Sequence, residues 1–130
     1  MNPKLDMIGI VVADMPRALA FYRELGLEFA DDADEQPHVD ITLPSGTRVA
    51  FDTIETIRSF DPDWSAPSGS SRIHLAFDCE TPAGVDSVYE RLVGQGHTGN
   101  REPWDAFWGQ RYAVVDDPDG NGIDLFAPLG

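Results

Sequence analysis

Two tryptophans stand four residues apart in "PWDAFWGQRY" (Pro103 to Tyr112), in a chain that holds three tryptophans in all. Paired indoles are a deposit of flat apolar surface, suited to packing a core or to lying against a planar ring. Trp108 precedes Gly109, where backbone can approach a partner closely. Trp104 follows Pro103 where a strand should end, so packing under a loop serves it as well as ligand contact does. Other chemistry-bearing patterns are thin. Cys79 lies in the apolar run "HLAFDC" with no basic neighbour in sequence, so an activated thiolate is not expected. No Ser/His/Asp order is supported by a Gly-x-Ser-x-Gly elbow, and there is no phosphate-binding P-loop. The carboxylates Asp116, Asp117 and Asp119 of "VVDDPDGN" read as turn residues.

Composition narrows the classes. A chain of 130 residues, 42% hydrophobic and 25% charged, suits one globular domain or two small halves sharing a core. With 23 acidic against 9 basic residues the net charge is −14, which repels a phosphate backbone and argues against nucleic-acid or anionic-membrane partners. The charge serves solubility, or it draws in a cationic small molecule; the cluster Asp31, Asp32, Asp34, Glu35 reads as a solvated loop either way. The run Ile8 to Ala13 is too short to span a bilayer, and "MNPKLDM" has no signal-peptide pattern. With a single cysteine, these features set the expectation of a cytoplasmic protein.

The elements that must position these residues occur twice. Ala18, Phe21, Tyr22 and Leu25 form a helical stripe, with Asp14 as N-cap, Pro16 in the first turn and Gly26 as stop. Val85, Val88, Tyr89 and Leu92 repeat that spacing 67 residues later, behind the cap Thr81 and Pro82, with Gly94 or Gly96 as the end. The strand-like "MIGIVVAD" and "HLAFDCET" precede the two helices at the same offset. "PSGTRVAF" and "PDGNGIDL" match at an offset of 74, each a Pro-x-Gly turn followed by a strand. Further strands are expected near Glu28–Ala30, His38–Leu43, Thr98–Glu102 and Arg111–Asp116. The reading is a single α+β domain over 1–130 built from two tandem βαβββ modules, about 1–60 and 72–130, joined by the Pro/Ser/Gly-rich stretch 61–71. Modules of this size are too small to stand alone, so they are expected to share a core and leave a concave face between them.

Together with "MIGIVVADMPRALAFYRELGLEF" and "DPDGNGIDLFAPL", this tandem pattern resembles the vicinal oxygen chelate superfamily of glyoxalases, extradiol dioxygenases and bleomycin-resistance proteins. The resemblance implies cupped mixed sheets, commonly in a homodimer with pockets between modules. In the enzymes of that superfamily one His or Glu from each of four strands holds a metal ion. Carried over, those positions are Met7, Ala50, His74 and Asp124, and the neighbour Phe51 is no better a ligand than Ala50. A thioether and a methyl group do not replace histidine and glutamate for a divalent ion, so the metal site is expected to be degenerate, with no cofactor. Asp52 could supply a further ligand only with unusual geometry. His74 is expected to be a buried histidine with its nitrogens hydrogen-bonded.

"QPHVD", "RVAFDTIETIRSFDPDW" and "PWDAFWGQRYAVVDDPDGNGIDLFAPL" are similar to the mitomycin-resistance drug-binding proteins of the same superfamily. That likeness implies a non-catalytic homodimer that sequesters a planar, quinone-like antibiotic, of mitomycin or anthraquinone/enediyne type, for self-resistance. It places His38 and Trp108 on the two faces of the ring. Asp52, Asp40 and Gln110 are candidates for polar groups at its rim, where a carboxylate suits an amine or hydroxyl. Trp104, Tyr112, Phe60 and Trp64 complete the candidate ligand-binding set, and Phe51 is assigned to the core because Ala50 and Asp52 should face the other way. The alternative is a metal-dependent isomerase, thiol transferase or dioxygenase using His74, Asp124 and Asp52.

Overall fold

The computed structural model describes residues 2–130 and divides into two compact units, Met1–Ser68 and Gly69–Gly130. The first unit contains strand β1 (Met7–Val12), helix α1 (Met15–Glu24), a 3-10 turn (Ala33–Glu35), β2 (His38–Thr42), β3 (Arg48–Thr53) and the short helix α2 (Ile54–Arg58). Its three strands lie in the order β1-β3-β2, with β1 parallel and β2 antiparallel to β3. The second unit contains β4 (His74–Asp78), α3 (Pro82–Gly94), β5 (Gly99–Ala106), β6 (Gln110–Asp116) and β7 (Gly122–Pro128). Its four strands lie in the order β4-β7-β6-β5, with only the β4–β7 pair parallel.

The helices form where the stripes and caps place them. The Asp14 carboxylate accepts from Arg17 N–H at 3.0 Å, and Thr81 Oγ1 accepts from Gly84 N–H at 3.0 Å, each satisfying a donor that the first helical turn leaves unpaired. In the first unit Ala18, Leu19, Phe21 and Tyr22 are fully buried together with Val12 and Phe51. Tyr22 packs at 5.3 Å between ring centroids on Phe51, which confirms that Phe51 lies on the core face. In the second unit Val85 and Leu92 of α3 are buried, as are Ala113, Val115, Ile123, Leu125 and Ala127. Each large aliphatic or aromatic side chain so removed from water contributes roughly 1.5–3 kcal/mol. The period-2 alternation of these strands assigns the other face of each sheet to the candidate site residues.

Two local differences from the sequence reading concern the first unit. Residues Glu28–Ala30 join no sheet, so the first unit lacks the counterpart of β5. Phe29 instead packs edge-on to Phe51 at 5.5 Å, with the Arg23 guanidinium 5.4 Å from its ring, and side-chain packing holds the segment without a ladder. Downstream, Ile54–Arg58 is a helix where the sequence reading assigns no element; Thr53 Oγ1 caps it by accepting from Thr56 N–H at 3.2 Å. In the second unit β5 runs on to Ala106, beyond the expected Glu102, and so carries Trp104 inside the sheet. Among the described residues no helix is long and apolar enough to cross a membrane.

Candidate functional site

The first unit presents a charged face. Asp52 on β3 lies directly opposite His38 on β2, and Asp40 follows two residues along the same strand, so all three side chains point one way. His38 Nδ1 is 2.6 Å from Asp52 Oδ1, and its Nε2 is 3.1 Å from Asp40 Oδ2. Carboxylates only accept, and a neutral imidazole has a single N–H to give, so both contacts are satisfied together only by the imidazolium. The hydrogen bond to Asp52 first, then that to Asp40, raises the His38 pKa above its ordinary value of 6.5. Arg48 extends the chain of charges, donating to Asp6 at 2.7 Å and to Asp40 at 3.3 Å. Ala50 sits beneath, fully buried, between Arg48 and Asp52 on the strand. With its edge held by carboxylates, the His38 side chain remains 48% exposed. Asp40 and Asp52, expected as free polar groups at a ligand's rim, are therefore already partnered by His38.

Phe60 and Trp64 follow α2 in the same unit. Phe60 is exposed, while Trp64 is half-buried, its carbonyl accepting from Arg58 Nε at 3.1 Å and its ring under that guanidinium at 5.9 Å. The first unit also has an open cleft of about 550 Å³ at the carboxyl ends of β1 and β3, lined by Asp14, Asp34, Glu35 and Glu55 among others. It has no aromatic wall.

The second unit presents an aromatic face that runs into a polar relay. Ala106 pairs with Gln110, leaving Phe107, Trp108 and Gly109 as a three-residue hairpin loop. Gly109 takes φ = +91°, the left-handed conformation that such a loop requires at its last position and that glycine adopts without a side-chain clash. The turn folds Trp108 back over the sheet: its ring is 5.3 Å from Tyr112 and 6.0 Å from Trp104, edge-to-face in both cases. The indole N–H is used internally, donating to Gln110 Oε1 at 2.8 Å, so what Trp108 offers is apolar ring surface, 48% exposed. Trp104 stands behind it, edge-on to Tyr112 at 5.6 Å and covered on one face by the Arg101 guanidinium at 4.1 Å. Phe107 at the tip is 97% exposed.

Asp124 is the hub of the relay. Its direct neighbours across the ladders are Ala76 and Val114, and two longer side chains reach it diagonally, His74 from β4 and Tyr112 from β6. Tyr112 donates its phenolic O–H to Asp124 Oδ2, and His74 Nδ1 lies 2.7 Å from Asp124 Oδ1. Burial, then the carboxylate at its hydroxyl, pushes the Tyr112 pKa up to about 12, so the phenol keeps its proton and acts as donor. Gly122 makes the His74 contact possible, since a Cβ at 122 would lie 2.5 Å from the His74 ring, which rests across that backbone. His74 is thus half-exposed with one nitrogen paired, which corrects the expectation of a buried histidine with both nitrogens bonded. Sequence reasoning missed the relay because Tyr112, Asp124 and His74 come from three strands and meet only through strand order. The resemblance brings His74 and Asp124 together as metal positions, and the strand order adds Tyr112 to them.

The metal positions taken from the resemblance do not fit a divalent ion. Met7 and Ala50 offer a thioether and a methyl group, Asp52 is engaged by His38, and Asp124 holds His74 and Tyr112. Within either unit, no group of three His, Cys, Asp or Glu side chains among the described residues is arranged to hold a metal. Half-buried Cys79 has its thiol pKa raised, chiefly by burial, which disfavours the thiolate form.

Comparison with known proteins agrees with this architecture. The profile of the "Glyoxalase/Bleomycin resistance protein/Dioxygenase superfamily" matches residues 4–125. No curated protein matches the chain. Among solved structures, a glyoxalase/bleomycin resistance protein/dioxygenase family enzyme from Burkholderia phytofirmans PsJN superimposes with a TM-score of 0.81 at 19% identity, covering 98% of this chain and 100% of that one. The hypothetical protein SA1046 from S. aureus gives 0.78 at 19% identity, with 98% and 94% covered. A glyoxalase/bleomycin resistance protein/dioxygenase from Nocardioides gives 0.74 at 23% identity, with 99% and 85% covered. At these identities the likeness is one of fold.

Proposed function

The chain belongs to the Glyoxalase/Bleomycin resistance protein/Dioxygenase superfamily, and on that premise we propose that it is a non-catalytic binding protein that sequesters a planar, quinone-like antibiotic. The observation that carries this reading is the Trp104–Trp108–Tyr112 cluster, with the Trp108 ring half-exposed and its only N–H occupied within the protein. Such a surface has flat area to offer and few free polar groups that need satisfying, which suits the face of a fused ring system. Edge-to-face packing against Trp104 and Tyr112 fixes the indole before a ligand arrives, so little conformational freedom is lost on binding. The depleted donor set at Met7 and Ala50 supports binding over metal-dependent isomerase, transferase or dioxygenase chemistry. The resemblance assigns the ligand's other face to His38 and implies a homodimer serving self-resistance, and the short apolar runs and single cysteine support a cytoplasmic location.

Tryptophan fluorescence during titration with mitomycin C and with anthraquinone tests the reading. Quenching that saturates stoichiometrically, and weakens about tenfold or more in Trp108→Ala, is the expected result for loss of a stacking partner and its buried area. The same titration with His38→Ala tests the second assigned contact. No quenching by either compound, or quenching unchanged in Trp108→Ala, overturns the proposal. Metal analysis of the purified protein separates the enzymatic alternative, which requires a stoichiometric divalent ion lost on His74→Ala.

A further inference from the structure

We propose that His74 is a hydrogen-bond acceptor subsite that selects a hydroxyl group, a phenol or hydroquinone O–H, at one end of the bound planar ligand. The inference rests on the binding reading above and deepens it by naming a ligand class. It follows from the proton inventory of the relay. The carboxylate of Asp124 accepts at both oxygens, from Tyr112 O–H at Oδ2 and from His74 at Oδ1. The proton between His74 and Asp124 therefore sits on Nδ1, and the neutral imidazole in that tautomer carries its lone pair on Nε2. Nothing in the second unit hydrogen-bonds Nε2, and the side chain is 38% exposed. The ring does not swing freely, because Nδ1 is tied to Asp124 and the ring rests across Gly122.

Position makes this acceptor part of the aromatic face. Across the sheet the strand order carries Trp104 on β5, Tyr112 on β6, Asp124 on β7 and His74 on β4, with neighbouring strands about 4.8 Å apart. Tyr112 belongs to both groups, its ring in the aromatic cluster and its hydroxyl in the relay. The relay thus sets His74 beyond the Tyr112 hydroxyl on the sheet face that carries the aromatic cluster, where the edge of a ring packed on Tyr112 would meet it. A carbonyl there meets a lone pair and is disfavoured, whereas an O–H completes a hydrogen bond. Reduced or phenolic ligands are thereby preferred over those with only acceptors at that edge.

Calorimetric titration of the full chain with 2-naphthol and with 2-methoxynaphthalene tests the inference at about pH 8, with the naphthol still carrying its proton. The two probes share a ring system and differ by an O–H that the ether lacks. The native protein is expected to prefer the naphthol about tenfold, the worth of one well-placed hydrogen bond. His74→Phe should bring that ratio to about one while leaving the ether's affinity in place. Asp124→Asn provides a second variant: its amide oxygen still accepts from Tyr112, but its NH2 donates to Nδ1 and moves the imidazole proton to Nε2, and the preference for the hydroxyl should vanish or reverse. Equal affinities in the native protein, or a preference that survives both variants, overturns the inference and leaves the stacking reading intact. No heat with either probe also removes it, and if anthraquinone then fails to quench tryptophan, the stacking reading falls as well.

Discussion

Gly122→Ala probes the joint on which the relay depends. Gly122 is buried on β7 and its φ lies outside the left-handed region, so alanine is conformationally acceptable there. In a strand, removing glycine's excess freedom is worth about 0.5–1 kcal/mol of stability by itself. The added methyl, however, would sit 2.5–2.7 Å from three atoms of the His74 ring, well inside contact distance. Since the ring is half-exposed, it can yield by swinging toward water, and in doing so it breaks the 2.7 Å contact with Asp124. A hydrogen bond to a carboxylate contributes about 1.5–3 kcal/mol, and access to water at this site reduces the net loss to about 1–2 kcal/mol. In the native background the loss exceeds the gain by only about 0.5–1 kcal/mol, too little to assign to one cause from the single variant, so the double-mutant cycle with His74→Ala is the measurement. Denaturant unfolding of the four proteins is expected to show Gly122→Ala stabilising by about 0.5–1 kcal/mol when His74 is absent, with a coupling of about 1–2 kcal/mol between the sites. A coupling below about 0.5 kcal/mol, the ordinary scatter for independent sites, refutes the claim that the glycine exists to seat the histidine.

Further consequences can be checked alongside. His38 should titrate above 6.5 when followed by NMR of its ring protons, and Asp52→Asn should return it toward the ordinary value. Because its folded pKa is raised, its contribution to stability is fully present below pH 6.5 and is lost as pH rises through the folded value, so the melting temperature should fall across that window. Tyr112→Phe removes the donor to Asp124 and should cost about 1 kcal/mol in denaturant unfolding, and the native tyrosine should resist ionisation until about pH 12 in ultraviolet difference spectra. Asp117 is buried and accepts from the backbone N–H groups of Asp119 and Asn121 at 2.9 and 2.8 Å, so Asp117→Ala should cost about 2–3 kcal/mol in the same unfolding assay.

Asp117 also shows where sequence reading succeeded. "DDPDGN" was legible as a turn, because an aspartate that accepts from backbone N–H groups two and four residues on is a local device. The helices were legible for the same reason: their stripes and caps are written within one or two turns of chain, and Asp14 and Thr81 cap as their types and positions indicate. The strand at 28–30 was misread because β pairing depends on a partner elsewhere, and Phe29 found a better one in the ring of Phe51 than in a ladder.

For the candidate site the division is similar. Residue types alone marked Trp104 and Trp108 as flat surface and showed that two of the four metal positions hold a thioether and a methyl group, neither of which replaces histidine or glutamate for a divalent ion in any fold. The offsets of 67 and 74 residues marked two related α+β modules, because the stripes, caps and turns that recur at those offsets are local devices, whereas the strand expected at 28–30 and the helix α2 break the repeat. Pairing was decided by tertiary structure. Whether Asp52 is a free carboxylate or the partner of His38, and whether His74 is buried and doubly bonded or half-exposed with one nitrogen open, depends on which strands lie side by side and in what register. Hydrogen bonds between side chains reach only about 3 Å, and residues 50 apart in sequence such as His74 and Asp124 come within that range only when the sheet has placed them there.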